Sequence, residues 1–137
     1  MIITIPFKTP TINHLNCYTR WGGYMKKEYK LLRKEIIKIC DETISPETKE
    51  YFKNKKLKVM IAICEDWYYL NGNVKKVDVA NREKFLTDSV FQGLGLDDKN
   101  IFYISLRKVQ LKRFSGKVEP AQEKTIFSIE VLNGNPA

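Results

Sequence analysis

Between Asp78 and Asp98 the chain reads DVANREKFLTDSVFQGLGLDD, gathering carboxylates, an amide and an ammonium in one short stretch. A helical period over Val79 to Gln92 puts Asn81, Lys84 and Asp88 within about 60° of arc at 100° per residue. Val79, Leu86 and Val90 fall on the opposite side. One face is thus apolar enough to pack on a sheet while the other collects polar groups. Asp78 stands at the start of this helix, and Asp97-Asp98 lie just beyond Gly93 and Gly95, which are placed to stop it. Two adjacent carboxylates repel each other unless they are solvated or neutralised by a cation, and carboxylate oxygens are the ligands that hard divalent cations take.

Each group also has a plainer use. Asp78 can cap the helix by accepting a backbone N–H, worth about 1 kcal/mol. Lys84 and Asp88 can form an exposed i, i+4 pair, although Lys before Asp is the weaker orientation. Asp97 and Asp98 can be turn residues of Gly-Leu-Asp-Asp. Spacing alone leaves these alternatives open.

Other elements must hold this stretch in place. Residues 2–7 (IITIPF) read as an opening strand. Residues 8–23 contain Pro10, Gly22 and Gly23 and show no clear period, which predicts a loop. From Tyr24 to about Ile44 the period is helical, with Tyr29, Leu32, Ile36, Ile39 and Cys40 on one stripe. Ser45-Pro46 ends this helix or starts a short second piece. Leu57 to Cys64 alternates with apolar residues on both faces, which predicts a central strand. Residues 70–77 read as an exposed loop. Ile101–Leu111 and Thr125–Leu132 are strand-like and joined by a basic loop. The order β-α-β-α-β-β predicts an α+β fold in one domain, residues 1–137. A mixed sheet of about four strands carries two main helices on one side.

The 137 residues are enough to bury a core, and the 43% apolar and 29% charged content is that of a globular protein. The net charge of +8 points to a polyanionic partner, most often nucleic acid. Arg107, Lys108, Lys112, Arg113 and Lys117 occur with no acid among them, and residues 53–58 (KNKKLK) form a second basic knot. Three scattered cysteines argue against a disulfide framework or a cysteine-built zinc site. The single histidine, His14, rules out a histidine cluster and makes a Ser-His-Asp triad a poor fit. A reducing cytoplasm is the expected location, with no membrane span.

The chain resembles the RusA family of Holliday junction resolvases. The family signature is similar to D-x-D-N-x-x-K-x-x-x-D, followed about ten residues later by a glycine and D-D. The matching positions here are Asp78, Ala80, Asn81, Lys84 and Asp88, then Gly95 and Asp97-Asp98. A first strand, Pro10 and Asn13 in a Pro-x-x-Asn element, and an Arg-containing loop before a basic helix resemble the family as well.

This resemblance implies a homodimeric endonuclease that cuts four-way DNA junctions by paired nicks and needs Mg²⁺, for which Mn²⁺ substitutes. It implies Asp78 and Asp98 as metal ligands with Asp97 nearby, and Lys84 at the scissile phosphate. Asp88 would orient Lys84, and Asn81 would be a supporting positioner. Ala80 departs from the pattern, since alanine cannot bind a metal where the family places an Asp. Natural variation and a deliberate inactivating exchange both account for it, and either predicts weakened activity. The alternative is a junction- or RNA-binding module of the same fold that no longer cuts. Asn13, Arg20, Lys75, Lys76, Arg107, Lys108, Lys112 and Arg113 are the expected DNA contacts, with Thr11 and Trp21 also placed to face DNA. Trp67, Tyr68 and Tyr69 suit a core cap or dimer surface better than a base-stacking platform.

Overall fold

The computed structural model describes residues 1–10, 16–19, 22–76 and 79–133. The elements run β1 (Ile2–Ile5), β2 (Asn16–Thr19), β3 (Gly22–Met25), α1 (Lys27–Thr43), α2 (Pro46–Phe52), β4 (Leu57–Glu65), α3 (Ala80–Leu94), β5 (Ile101–Gln110) and β6 (Lys124–Val131). Four strands make one sheet in the order β1-β6-β4-β5. β4 and β5 run parallel, while β6 is antiparallel to both β1 and β4. The fold is therefore α+β with a mixed four-stranded sheet, and β4 is central as its two-sided apolar pattern predicts. A parallel pair needs a crossover. Here α3 is that crossover, which is why the helix bearing the polar stripe lies against the sheet.

Alternation sorts the sheet into two faces. Ile3, Ile5, Leu57, Val59, Ile61, Ile63, Phe127 and Ile129 are buried in one core with Ile36 and Cys40 of α1, Phe52 of α2, and Phe85, Leu86, Val90 and Leu94 of α3. The helices thus cover one side. On the other side Ile2 is exposed, and Met60, Ile126 and Ser128 are half-buried.

Two details differ from the sequence reading, and one open alternative resolves in full. β2 and β3 pair antiparallel where the sequence predicts a continuous loop, with Asn16 opposite Met25 and Thr19 opposite Gly22. These strands of four residues, with two glycines in β3, offer no alternation to read. Ser45-Pro46, expected to end the first helix or start a short second piece, does both. Ser45 Oγ accepts the Thr48 N–H at 3.2 Å, and Pro46 takes the first helical position, where a missing N–H costs nothing.

The second difference is Gly93, which does not stop α3. A Cβ there would lie 2.9 Å from Cys40 Cβ and 3.1 Å from the Ile37 Cα, so glycine lets α1 and α3 approach closely. The stop is Gly95, whose φ of +66° reverses the chain in the left-handed region that glycine tolerates. Burial at this contact raises the Cys40 thiol to about 11, which makes it a packing group with little thiolate character.

Candidate active site

The body of α3 is enclosed by α1 and the sheet, with Phe85, Leu86, Thr87, Ser89, Val90 and Phe91 all buried. Its open stripe carries exposed Lys84 with half-buried Asn81 and Asp88, as the helical spacing predicts. Lys84 Nζ lies 3.5 Å from Asp88 Oδ2. The turn after Gly95 then brings the aspartate pair back to this stripe. Asp98 lines one opening together with Glu83, Lys84, Thr87, Asp88 and Ile104. The two aspartates differ in what they do there. Asp97 accepts the Lys99 N–H at 3.0 Å and caps the 3₁₀ turn Asp98–Asn100. The Asp98 carboxylate is exposed and has no hydrogen bond or ion pair among the described residues.

A second opening shares Asp88 and Asp98 with the first and is lined also by Asp97, Gln92, Leu96 and Arg33, but not by Lys84. Arg33 comes from α1, and sequence reasoning missed it. Its Nε donates to Ser89 Oγ at 3.1 Å, and its guanidinium carbon sits 5.5 Å from the Phe85 ring centre. The available signal is its position four residues after Tyr29, where a charge interrupts the edge of the apolar stripe.

Beneath the first turn of α3 lies a buried ion pair that the sequence pattern does not disclose. Arg82 Nη1 donates to Glu65 Oε2, and both side chains are almost fully enclosed. Arg82 also stacks 5.5 Å from the centre of the Trp67 ring. The pair ties the start of α3 to the end of β4. Among the described residues, removing Arg82 leaves the buried Glu65 carboxylate only the exposed Lys8, 3.7 Å away, as an ion-pair partner. Arg82→Ala should therefore cost about 3 kcal/mol of stability, the low end for a broken buried pair. A urea melt reads this, and a loss below about 1 kcal/mol would mean that the pair is hydrated and dispensable.

The expected basic contacts among the described residues lie on more than one face. Successive strand residues point to opposite faces. Arg107 accordingly lines an opening on the helix-free face with Met60, Ala62 and Ser105, while Lys108 sits over the Trp67 ring at 5.0 Å. Arg113 is engaged by Asp66 at 2.7 Å and donates to the Tyr68 carbonyl at 2.6 Å. That guanidinium holds the Asp66 carboxyl down at about 2, with help from Gln110. Lys112 and Lys76 are exposed, and Lys75 is half-buried 6.0 Å from the Tyr69 ring centre. Trp67 caps the core as expected, its Nε1–H shared between the Ile63 and Val109 carbonyls at 3.2 and 3.1 Å. Tyr68 and Tyr69 are exposed.

Asp78, Asn13 and Arg20 lie outside the described residues, as do Thr11, His14 and Trp21. Among the described residues no three His, Cys, Asp or Glu side chains gather around one point. A magnesium-type ion requires only one or two carboxylates and keeps waters and a substrate phosphate as its other ligands. The unpaired Asp98 carboxylate beside Asp88 fits that requirement. No helix among the described residues is long and apolar enough to cross a membrane. No curated protein matches the chain. The family model for endodeoxyribonuclease RusA matches residues 8–119.

Proposed function

The chain belongs to the RusA family of endodeoxyribonucleases, and from that premise we propose that it resolves four-way DNA junctions by paired, metal-dependent nicks as a homodimer. The observation that carries this reading is the Asp98 carboxylate, unpaired among the described residues, set in one opening with Lys84 and Asp88. In this proposal Asp78 and Asp98 hold a Mg²⁺ ion, which Mn²⁺ can replace. Asp97 supports its neighbour chiefly by capping the turn that presents Asp98. When bound, the ion supplies an activated water and neutralises charge on the phosphoryl oxygens.

The chain's own groups do the rest. Lys84 presents an ammonium to the scissile phosphate from the exposed stripe of α3. Asp88, one turn on, fixes its direction, and Asn81 shares the same stripe as a positioner. The Glu65–Arg82 clasp sets where the helix begins. Lys75, Lys76, Lys108 and Lys112 supply contacts to the flanking backbone, together with Asn13 and Arg20. Arg107 faces the other side of the sheet and Arg113 is committed to Asp66, so each is a weaker contact in this scheme.

A labelled four-way junction and a matched linear duplex, with and without Mg²⁺, test the reading. Symmetric cuts in the junction only with metal support it, whereas tight junction binding with no cut supports the non-cleaving alternative that Ala80 raises. Ala80→Asp adds a carboxylate at the first turn of α3, and the single-turnover cutting rate should rise about tenfold or more. An unchanged rate would mean that position 80 does not reach the metal.

A further inference from the structure

Two cations line openings at the carboxylates of the site, and they are held differently. Lys84 is exposed and paired with Asp88. Arg33 lines the opening shared by Asp88, Asp97 and Asp98, yet among the described residues no carboxylate is within ion-pair distance of it. Its Nε is taken by Ser89 and one face of its plane rests near Phe85. These contacts brace the guanidinium, and its terminal nitrogens have no hydrogen-bond partner among the described residues. Ser89 is five residues beyond Lys84, about 7.5 Å along the helix axis. The two cations therefore stand at separate points along the groove.

A guanidinium fork braced in this way matches two oxygens of a phosphate, and its ordering cost is largely met before binding. A residue needed only to join α1 to α3 would have no use for a charge at a carboxylate-lined rim. We propose that Arg33 grips a backbone phosphate of the bound DNA strand, in the opening that shares Asp88 and Asp98 with the one Lys84 lines. The inference rests on the nuclease reading above and adds to it a contact from α1. It makes the first long helix part of the DNA-binding groove as well as a support for α3.

The test is junction binding in EDTA across a salt series, where cutting plays no part. Arg33→Met keeps a long stem over Phe85 and removes the charge. It should weaken binding about tenfold and lower the slope of log affinity against log salt by about one. Arg33→Lys should restore the slope but only part of the affinity, because an ammonium lacks the fork. Should Met unfold the protein in a thermal melt, the Lys variant carries the test, and full wild-type affinity there would overturn the fork. A folded Arg33→Met variant with unchanged slope and affinity would overturn the proposal and leave the nuclease reading intact. If Arg33→Met shows the predicted slope change but wild-type protein binds the junction and never cuts it with Mg²⁺, the nuclease reading alone would be overturned. Wild-type protein that does not bind the junction would overturn both.

Discussion

Replacing Asp98 by Asn should abolish junction cutting while leaving binding equal or tighter. The substitution keeps the shape and removes the negative charge that would hold the cation. A bound metal is worth several kcal/mol of transition-state stabilisation, and each 1.36 kcal/mol is tenfold in rate. The single-turnover rate should therefore fall on the order of a thousandfold. Stability should hardly change, since the carboxylate is exposed and unpaired among the described residues. Binding in EDTA should hold or improve, because one repulsive charge near the phosphates is gone. Asp97→Asn is the internal control. Its side chain accepts the Lys99 N–H, a task an amide oxygen also performs, so its rate should fall far less. An Asp98→Asn variant that cuts within a few-fold of wild type would remove Asp98 from the metal site.

Much of the layout was legible because burial leaves a period in the sequence. The alternation over Leu57–Cys64 marked the strand that lies between β6 and β5. The 3.6-residue period marked α1 and α3. Pairing order was not legible, because no local pattern dictates that β6, last in the chain, inserts between β1 and β4. The β2–β3 pair left no alternation over strands so short. Gly93 misled for a physical reason: glycine is used both to end helices and to let two helices touch, and only the α1 contact distinguishes the uses here.

The site divides along the same line. Asn81, Lys84 and Asp88 could be grouped because they share one helix, so spacing alone places them. Arg33 and Ser89 are 56 residues apart, and Arg82 and Glu65 are 17 apart. Such pairings depend on how α1, α3 and β4 are stacked, which side-chain type and spacing do not encode. The basic run after Arg107 shows how sequence adjacency differs from adjacency on the surface. Its charges are adjacent in sequence, but the strand's two-residue period sends Arg107 and Lys108 to different faces.

Lys84 offers the second large effect, and its strength as a test comes from how little it does for the fold. Its side chain is 62% exposed, and its partner Asp88 lies in the less favourable i, i+4 direction. An exposed pair of this kind contributes about 0.3–0.5 kcal/mol, so Lys84→Met should shift the melting temperature by no more than a degree or two. Removing one preorganised donor from a developing charge costs about 10²–10³ in rate. The variant should thus lose cutting by that factor while junction binding in EDTA changes only as expected for one phosphate contact. Asp88→Asn should cost less, about tenfold, because it loosens Lys84 without removing its charge. A Lys84→Met protein that cuts within twofold of wild type would make the pair a surface ornament of α3. A loss in Asp88→Asn exceeding that in Lys84→Met would reassign Asp88 to the cation itself.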